Sequence, residues 1–355
     1  MAPSQADLKT LQDLISTTQS LLKQFSATLT TTETKIDPIE NPPNPLDVLR
    51  DSAKLLKAHT TKISLLAINK PFTPTAITKV LRDLSSTCLP AMLSASQICT
   101  LQEKSIWGTT ISHELRIRIK RVFLEIQNLL TELHSISNGN DAGSSTARDS
   151  LSSTGVVWDS CDALIALSHM GIAGLAVQKA EQYRDTIKDA IAELQEWKEG
   201  TDLDAEGHDG DELLGSDDEG VDGEEVDSLD EIFNAANSMP KDRPELKELV
   251  EVAEGRLKKV VFLYTALGKR RFKEYRVEMG KVEVVDRVLM GLSVVQNGVD
   301  ELISKFYDLD EDGAKEELEK CVREAKDAAA LVRLDWSGKE DEFTAWSKKW
   351  EEALE

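Results

Sequence analysis

LRIRIKRVFLEIQNLLTELHSI, residues 115–136, decides the fold class. Leu115, Ile119, Val122, Ile126, Leu129, Leu133 and Ile136 recur at intervals of three and four, with Arg116, Arg118, Lys120, Arg121 and Glu125 between them. A helical period puts the apolar set on one stripe and the charges on the wet faces. The same period extends in both directions. Upstream, Leu8, Leu11, Ile15, Leu22, Phe25 and Leu29 keep register until Pro38, Pro42, Pro43 and Pro45 end the helix, because proline lacks the N–H and clashes with the preceding turn. A second helix is expected from about Leu46 to Asn69. A third should start near Thr73 or Thr75 and run towards Leu101, kinked or split at Pro90. Downstream, Asn138 to Ser153 reads as a Gly/Ser/Asn/Asp loop. A fifth helix is expected from about Thr154 to Trp197. Its small residues Ala163, Ala166, Gly171, Ala173, Gly174 and Ala176 suit a helix surrounded by neighbours.

The C-terminal third repeats the pattern. Leu229, Ile232 and Phe233 predict a short helix, and Asp242, Pro244 and Glu245 mark the start of another. Its stripe is Leu246, Val250, Ala253, Leu257, Val260, Tyr264 and Leu267; the next is Val285, Val288, Leu292, Val295, Val299, Leu302 and Phe306. A helix from about Gly313 to Leu334 follows. Ser337 with Glu340 reads as a capping box opening a last helix that carries Phe343, Trp346 and Trp350. No useful strand alternation occurs. Loop signals break the stripes repeatedly, which favours antiparallel bundles within the chain over one long coiled coil. The fold class is all-α.

Charge divides the chain. Between Glu199 and Glu231 stand 16 acidic residues and no Lys or Arg, out of a formal net charge of −22 for the whole chain. Such a run cannot bury enough apolar surface to offset its ordering entropy, and its charges repel one another. Two helical bundles, 1–198 and 232–355, are therefore expected around a disordered acidic linker, 199–231. The acidic balance argues against nucleic acid as a direct ligand. No basic region followed by an apolar stretch opens the chain, so no signal peptide is read. Cys161 to Val177 is apolar but too short and too polar for a bilayer span, so no membrane partner is expected. Cys88, Cys99, Cys161 and Cys321 form no C-x-x-C pair and read as free thiols in a reducing compartment.

Several motifs carry competing chemistry. Asp308, Asp310, Asp312, Gly313 and Glu319 fit a calcium-loop pattern, D-x-D-x-D-G-x5-E. Lys315 stands where such loops place an apolar residue, and no second loop exists to pair with it. Capping of the next helix by these acids is the simpler reading, so no metal site is assigned; a calcium-responsive helical sensor using 308–319 is the alternative function. Lys269, Arg270, Arg271 and Lys273 could direct nuclear import, but cations at a helix end complement its dipole. His59, His113, His134, His169 and His208 are scattered singly, and no nucleophile elbow, Walker loop or H-E-x-x-H is present. No catalytic or cofactor residue is assigned, and an enzyme is not expected. Ser216 precedes Asp217, Asp218 and Glu219, and Ser228 precedes Leu229, Asp230 and Glu231. Both are candidate phosphorylation sites for acidophilic, casein-type kinases, although Ser228 also fits a capping box.

Three segments resemble the cyclin-D-binding (GCIP) family: Val156-Val157-Trp158-Asp159-Ser160-Cys161-Asp162, Leu263-Tyr264-x-x-Leu267, and Val299 to Tyr307. The order of long helices, acidic middle and second helical set is similar over nearly the whole chain, which looks like a distant, fungal-like member. Where the family has prolines after the tyrosine, this chain has Asp308-Leu309-Asp310. The resemblance implies talin- or vinculin-like bundles. It also implies a non-enzymatic adaptor binding cyclin-type or helix-loop-helix regulators of the cell cycle, cytoplasmic and nuclear, with no cofactor.

Overall fold

Every regular element among the described residues is helical, as the stripe over 115–136 predicts. The computed structural model describes residues 4–31, 40–139, 145–200, 238–240 and 242–355. The acidic segment beyond residue 200, the predicted helix around Ile232, and both Ser216 and Ser228 lie outside them. The chain forms two compact units, Met1–Leu175 with Arg276–Asp286, and Ala176–Tyr275 with Arg287–Glu355. These lines differ from the charge-based division at 198 and 232. The second half of the fifth helix has its own packing partners in the second unit, and charge counts carry no information about such contacts.

In the first unit α1 spans Gln5–Thr28, α2 Pro45–Ile68, α3 Pro74–Asp83, α4 Leu89–Leu101 and α5 Gly108–Ser137; α6 begins at Ser145 and runs to Glu199. The Ser4 hydroxyl caps α1 by accepting from the Asp7 N–H, and Asn44 caps α2 ahead of Pro45. Side-chain pairs fix the directions. Gln12 Nε2 donates to Asn138 (2.7 Å), Gln19 to Thr131 (3.1 Å), and Phe25 meets Phe123 with ring centroids 6.2 Å apart, so α1 and α5 are antiparallel. Lys57 pairs with Asp162 (2.6 Å) and Ser64 bonds Thr154 (2.5 Å), so α2 and α6 are antiparallel too. The stripe Leu115, Ile119, Val122, Ile126, Leu129 and Leu133 is buried, at a cost to stability of about 2–5 kcal/mol for truncating any one leucine.

Pro90 splits the third helix as expected, and the structure shows how. Residues Leu84–Cys88 form a π turn, in which Leu89 N–H reaches back to the Leu84 carbonyl, and Pro90 falls in the first turn of α4. The widened turn makes room for the proline ring where its missing N–H interrupts the helical ladder. A second π turn, Glu103–Trp107, leads to Gly108 at φ 79°. Only glycine suits that position, because a Cβ there would lie 2.6 Å from Val282 Cγ2 and 2.8 Å from Asp286 Oδ2. Asp286 accepts from the Thr109 N–H (2.5 Å), the Thr110 N–H (3.1 Å) and the Thr109 hydroxyl (3.0 Å). The N-terminus of α5 is thus capped from 177 residues away.

The second unit contains α7 (Pro244–Leu267), the greater part of α8 (Val282–Tyr307), α9 (Glu311–Ala330), α10 (Glu342–Ala353) and the C-terminal stretch of α6. The predicted stripes of α7 and α8 are buried. Asp242 is not the cap of α7: Arg243 holds that position with no side-chain hydrogen bond. A Cβ on Gly291 would stand 3.3 Å from Ala328, and one on Gly298 2.7 Å from Cys321 Sγ, so α8 and α9 are closely apposed and antiparallel. Tyr264 donates to the Leu292 carbonyl (2.7 Å), and Tyr307 donates to Glu193 (2.9 Å) while its ring meets Trp197 edge-on. Lys198 pairs with Glu254 at 2.8 Å, and Gln195 donates to the same carboxylate at 3.0 Å. Burial pushes the Glu254 carboxyl up, but these partners outweigh it and hold it below its ordinary value. All four cysteines are free and buried; burial pushes the Cys99, Cys161 and Cys321 thiols up to about 12.

Two features of α6 differ from expectation. It begins at Ser145, within the predicted loop, and it is less enclosed than its small residues implied, since Ala166 and His169 are exposed. By length and composition alone, 153–199 is apolar enough to cross a membrane. Its Cys161, Leu164, Leu167, Ile172 and Leu175 are buried in protein, however, and Gly171 leaves helical geometry at φ 59°, ψ −161°. A broken backbone ladder is costly in hydrocarbon. The same break yields a prediction opposite to helix propensity. Gly→Ala inside a helix normally stabilises, but at Gly171 nothing crowds a Cβ and only the backbone angle opposes it. Gly171→Ala should therefore destabilise by about 1–3 kcal/mol in urea melts.

Candidate interaction surface

The basic run lies where α7 gives way to the π turn Gly268–Phe272. Lys269 and Arg270 point outward, whereas Arg271 is 1% exposed. Its Nε donates to the Val332 carbonyl (2.6 Å), Nη1 to the Arg270 carbonyl (2.8 Å) and Asp341 Oδ2 (2.7 Å), and Nη2 to the Arg333 carbonyl (3.0 Å) and Asp341 Oδ1 (2.9 Å). All five guanidinium donors are used. The group also stacks 4.3 Å over the Phe343 ring centroid. Neither an import signal nor a dipole effect accounts for this residue. The motif reading missed it because only the returning segment 332–341 supplies its partners.

Asp341, not Ser337, caps the last helix. Thr344 N–H donates to Asp341 (3.0 Å) and Asp341 N–H donates to the Thr344 hydroxyl (3.1 Å), a reciprocal capping box. Ser337 instead donates to Asp335 through its backbone and hydroxyl. Ser-x-x-Glu and Asp-x-x-Thr both satisfy the pattern locally, and the buried guanidinium selects the second. The three tryptophans diverge in their bonding. Trp336 Nε1 donates to the Arg271 carbonyl and Trp350 Nε1 to the Lys259 carbonyl, each at 2.8 Å. Trp346 stacks on Trp350 with centroids 5.9 Å apart. Between α7 and α10, Ala266, Lys269, Arg270, Glu342, Phe343 and Trp346 line a groove of about 340 Å³. A larger groove of about 520 Å³ lies between α8 and α9, beside the exposed Met290 and Val294.

The calcium-pattern residues do not converge. Residues from Glu311 onward are helical, Asp310 caps them by accepting from the Gly313 N–H (3.0 Å), and Asp312 faces solvent. Glu319 pairs with Arg256 on α7. Among the described residues no group of three His, Cys, Asp or Glu side chains is placed to hold a metal ion. The segments that carry the family resemblance are mostly core: Val157, Cys161, Leu263, Tyr264, Leu267, Val299, Leu302 and Phe306 are buried. Asp159, Asp162, Asp300, Glu301, Ser304 and Tyr307 of the same segments are exposed, and Asp162 pairs with Lys57 at the surface.

Residues 48–200 match the family described as Grap2 and cyclin-D-interacting, N-terminal. That segment is similar to this family's N-terminal domain. The match covers α2 to α6 and includes the first of the three resembling segments. An uncharacterized protein of Schizosaccharomyces pombe is 26% identical over 326 residues, spanning 90% of this chain and 88% of the relative. Similarity therefore extends well beyond the segment 48–200.

The Arg271–Asp341 pair gives a pH-dependent prediction. The guanidinium holds the Asp341 carboxyl well below the usual carboxylate range, against the upward push of burial and with help from the Thr344 N–H. A depressed carboxyl contributes stability above its unfolded value of about 4 and loses it as pH falls further. Urea melts followed by tryptophan fluorescence should weaken steadily below pH 4. Asp341→Asn should cost about 3–5 kcal/mol at pH 7, because it leaves a buried guanidinium uncompensated, and should flatten that acid dependence.

Proposed function

We propose that the chain is a non-enzymatic adaptor that binds protein partners, cyclin-type or helix-loop-helix regulators, and acts in cell-cycle control. The observation that carries this reading is the match of residues 48–200 to a family described as cyclin-D-interacting. The helical architecture is consistent with it, since rigid stacked helices present side chains at fixed spacing to a partner groove or helix. Direct engagement of nucleic acid is not part of the proposal, on the strength of a net charge of −22. Cytoplasmic and nuclear residence completes the reading. The basic run offers Lys269 and Arg270 to a receptor but not the buried Arg271.

Purified full-length chain should retain a D-type cyclin on an affinity column at physiological salt. Absence of retention, together with turnover of a small substrate by the same preparation, would overturn the adaptor reading.

Phosphorylation of Ser216 by an acidophilic kinase is proposed as its regulation, with Ser228 as a weaker second site. Each phosphate adds about −1.5 to −2 charges to a stretch already carrying 16 acidic residues, which favours a basic partner surface. Mass spectrometry of protein from its own cells should find phosphate on Ser216; an unmodified Ser216 across growth states would remove the idea.

A further inference from the structure

We propose that the groove between α7 and α10 docks an acidic peptide segment of a partner protein, one that carries an apolar side chain. The proposal rests on the adaptor reading and names a surface and a partner chemistry for it. The groove floor is apolar: Ala266 leaves space between the helices, and Phe343 and Trp346 form the aromatic wall. Phe262, one helical turn before Ala266 on the same face, is 63% exposed and extends the apolar strip. An aromatic wall beside a small residue is the type of pocket that takes a partner's anchoring side chain.

The rim sets the sign of the partner. Lys269 is exposed and forms no ion pair among the described residues, although Glu342 lines the same groove. Arg270 is held at 2.7 Å by Glu342, but the two side chains are 59% and 78% exposed. A solvated pair of that kind is worth little, so an incoming carboxylate can take the place of Glu342 at small cost. Arg271, by contrast, is saturated by Asp341 and by three carbonyls, which fixes the turn that displays the two outer cations.

A third observation is independent of charge. Trp336 and Trp350 each spend their indole N–H on a carbonyl at 2.8 Å, but Trp346 donates to no acceptor among the described residues. Partly exposed on the groove wall, it offers a directional donor to a peptide carbonyl or carboxylate. A flat anionic membrane fits less well. It would present its charge to a whole molecule of net charge −22, whereas a peptide meets only the local cations.

The test uses the full-length chain and a fluorescein-labelled, Asp/Glu-rich synthetic peptide with a central Leu-Phe pair. Fluorescence anisotropy should show saturable binding that weakens with salt. A version with the Leu-Phe pair replaced by Ser-Ser should bind roughly tenfold or more weakly, as should the double variant Lys269→Glu, Arg270→Glu and the variant Trp346→Ala. Glu342→Gln removes the competing carboxylate and should tighten binding severalfold, a gain that general damage to the fold would not give. If Trp346→Ala melts early, the two charge variants, on exposed residues, still decide the matter. Equal binding by wild type and all variants, no binding at all, or preference for phosphatidylserine vesicles over the peptide would overturn the proposal. Retention of cyclin is measured on the same proteins. Cyclin binding without peptide binding removes the groove and leaves the adaptor reading; peptide binding without cyclin binding does the reverse.

Discussion

A guanidinium with 1% of its surface exposed can exist only if every one of its donors is met. At Arg271 that requirement organises the second unit. It needs the end of α9 to stop where the Val332 and Arg333 carbonyls turn inward, and it needs Asp341 to return beside them. The carboxylate so recruited becomes the cap of α10, and Phe343, the second residue of that helix, lies against the guanidinium face. Helix termination, loop path, cap and ring packing are four consequences of one buried charge. Replacement of such pairs by apolar side chains often costs nothing in stability; what the pair supplies here is a single register for α10 against α7.

Apolar spacing made the helices legible. The stripes at Leu115–Leu133, Leu246–Leu267 and Val285–Phe306 are buried where they were read, because a period of three and four leaves one solution for a soluble helix; only Ile136, at the end of the first, is partly exposed. Pro90 was equally legible as a break, but not the π turn before it, since the sequence records the missing N–H and not the way the preceding turn widens around it. Local rules failed wherever two residues could claim one role. Ser337 and Asp341 both head a plausible capping box, and the choice falls to Arg271, seventy positions before Asp341. At the calcium-like pattern the simpler reading, capping of the next helix, matches the structure, where Asp310 caps α9.

The groove between α7 and α10 was half legible. Lys269, Arg270, Trp346 and Phe343 were all singled out, but as two separate features, a basic run and an aromatic stripe. No single-sequence signal joins residues from helices about seventy positions apart. Their juxtaposition follows from the Arg271 anchor and from two bonds between the helices, the Trp350 indole N–H to the Lys259 carbonyl and the Lys259 ammonium to the Ala353 carbonyl. The apolar positions of the segments that resemble the cyclin-D-interacting family lie in the core and report architecture, whereas Asp159, Asp162, Asp300, Glu301 and Tyr307 of the same segments face outward.

The cap that Asp286 places on α5 bears on how the chain is made. The first unit includes Arg276–Asp286, so its residues are not contiguous along the polypeptide. As the chain emerges from the ribosome, α1 to α5 are present long before Asp286, and the N–H groups of Thr109 and Thr110 wait on water for that interval. Domains generally fold as their residues appear, but this one cannot be finished in order. Its completion is deferred until all of α7 has been synthesised, and truncation before residue 286 yields a unit permanently without that cap.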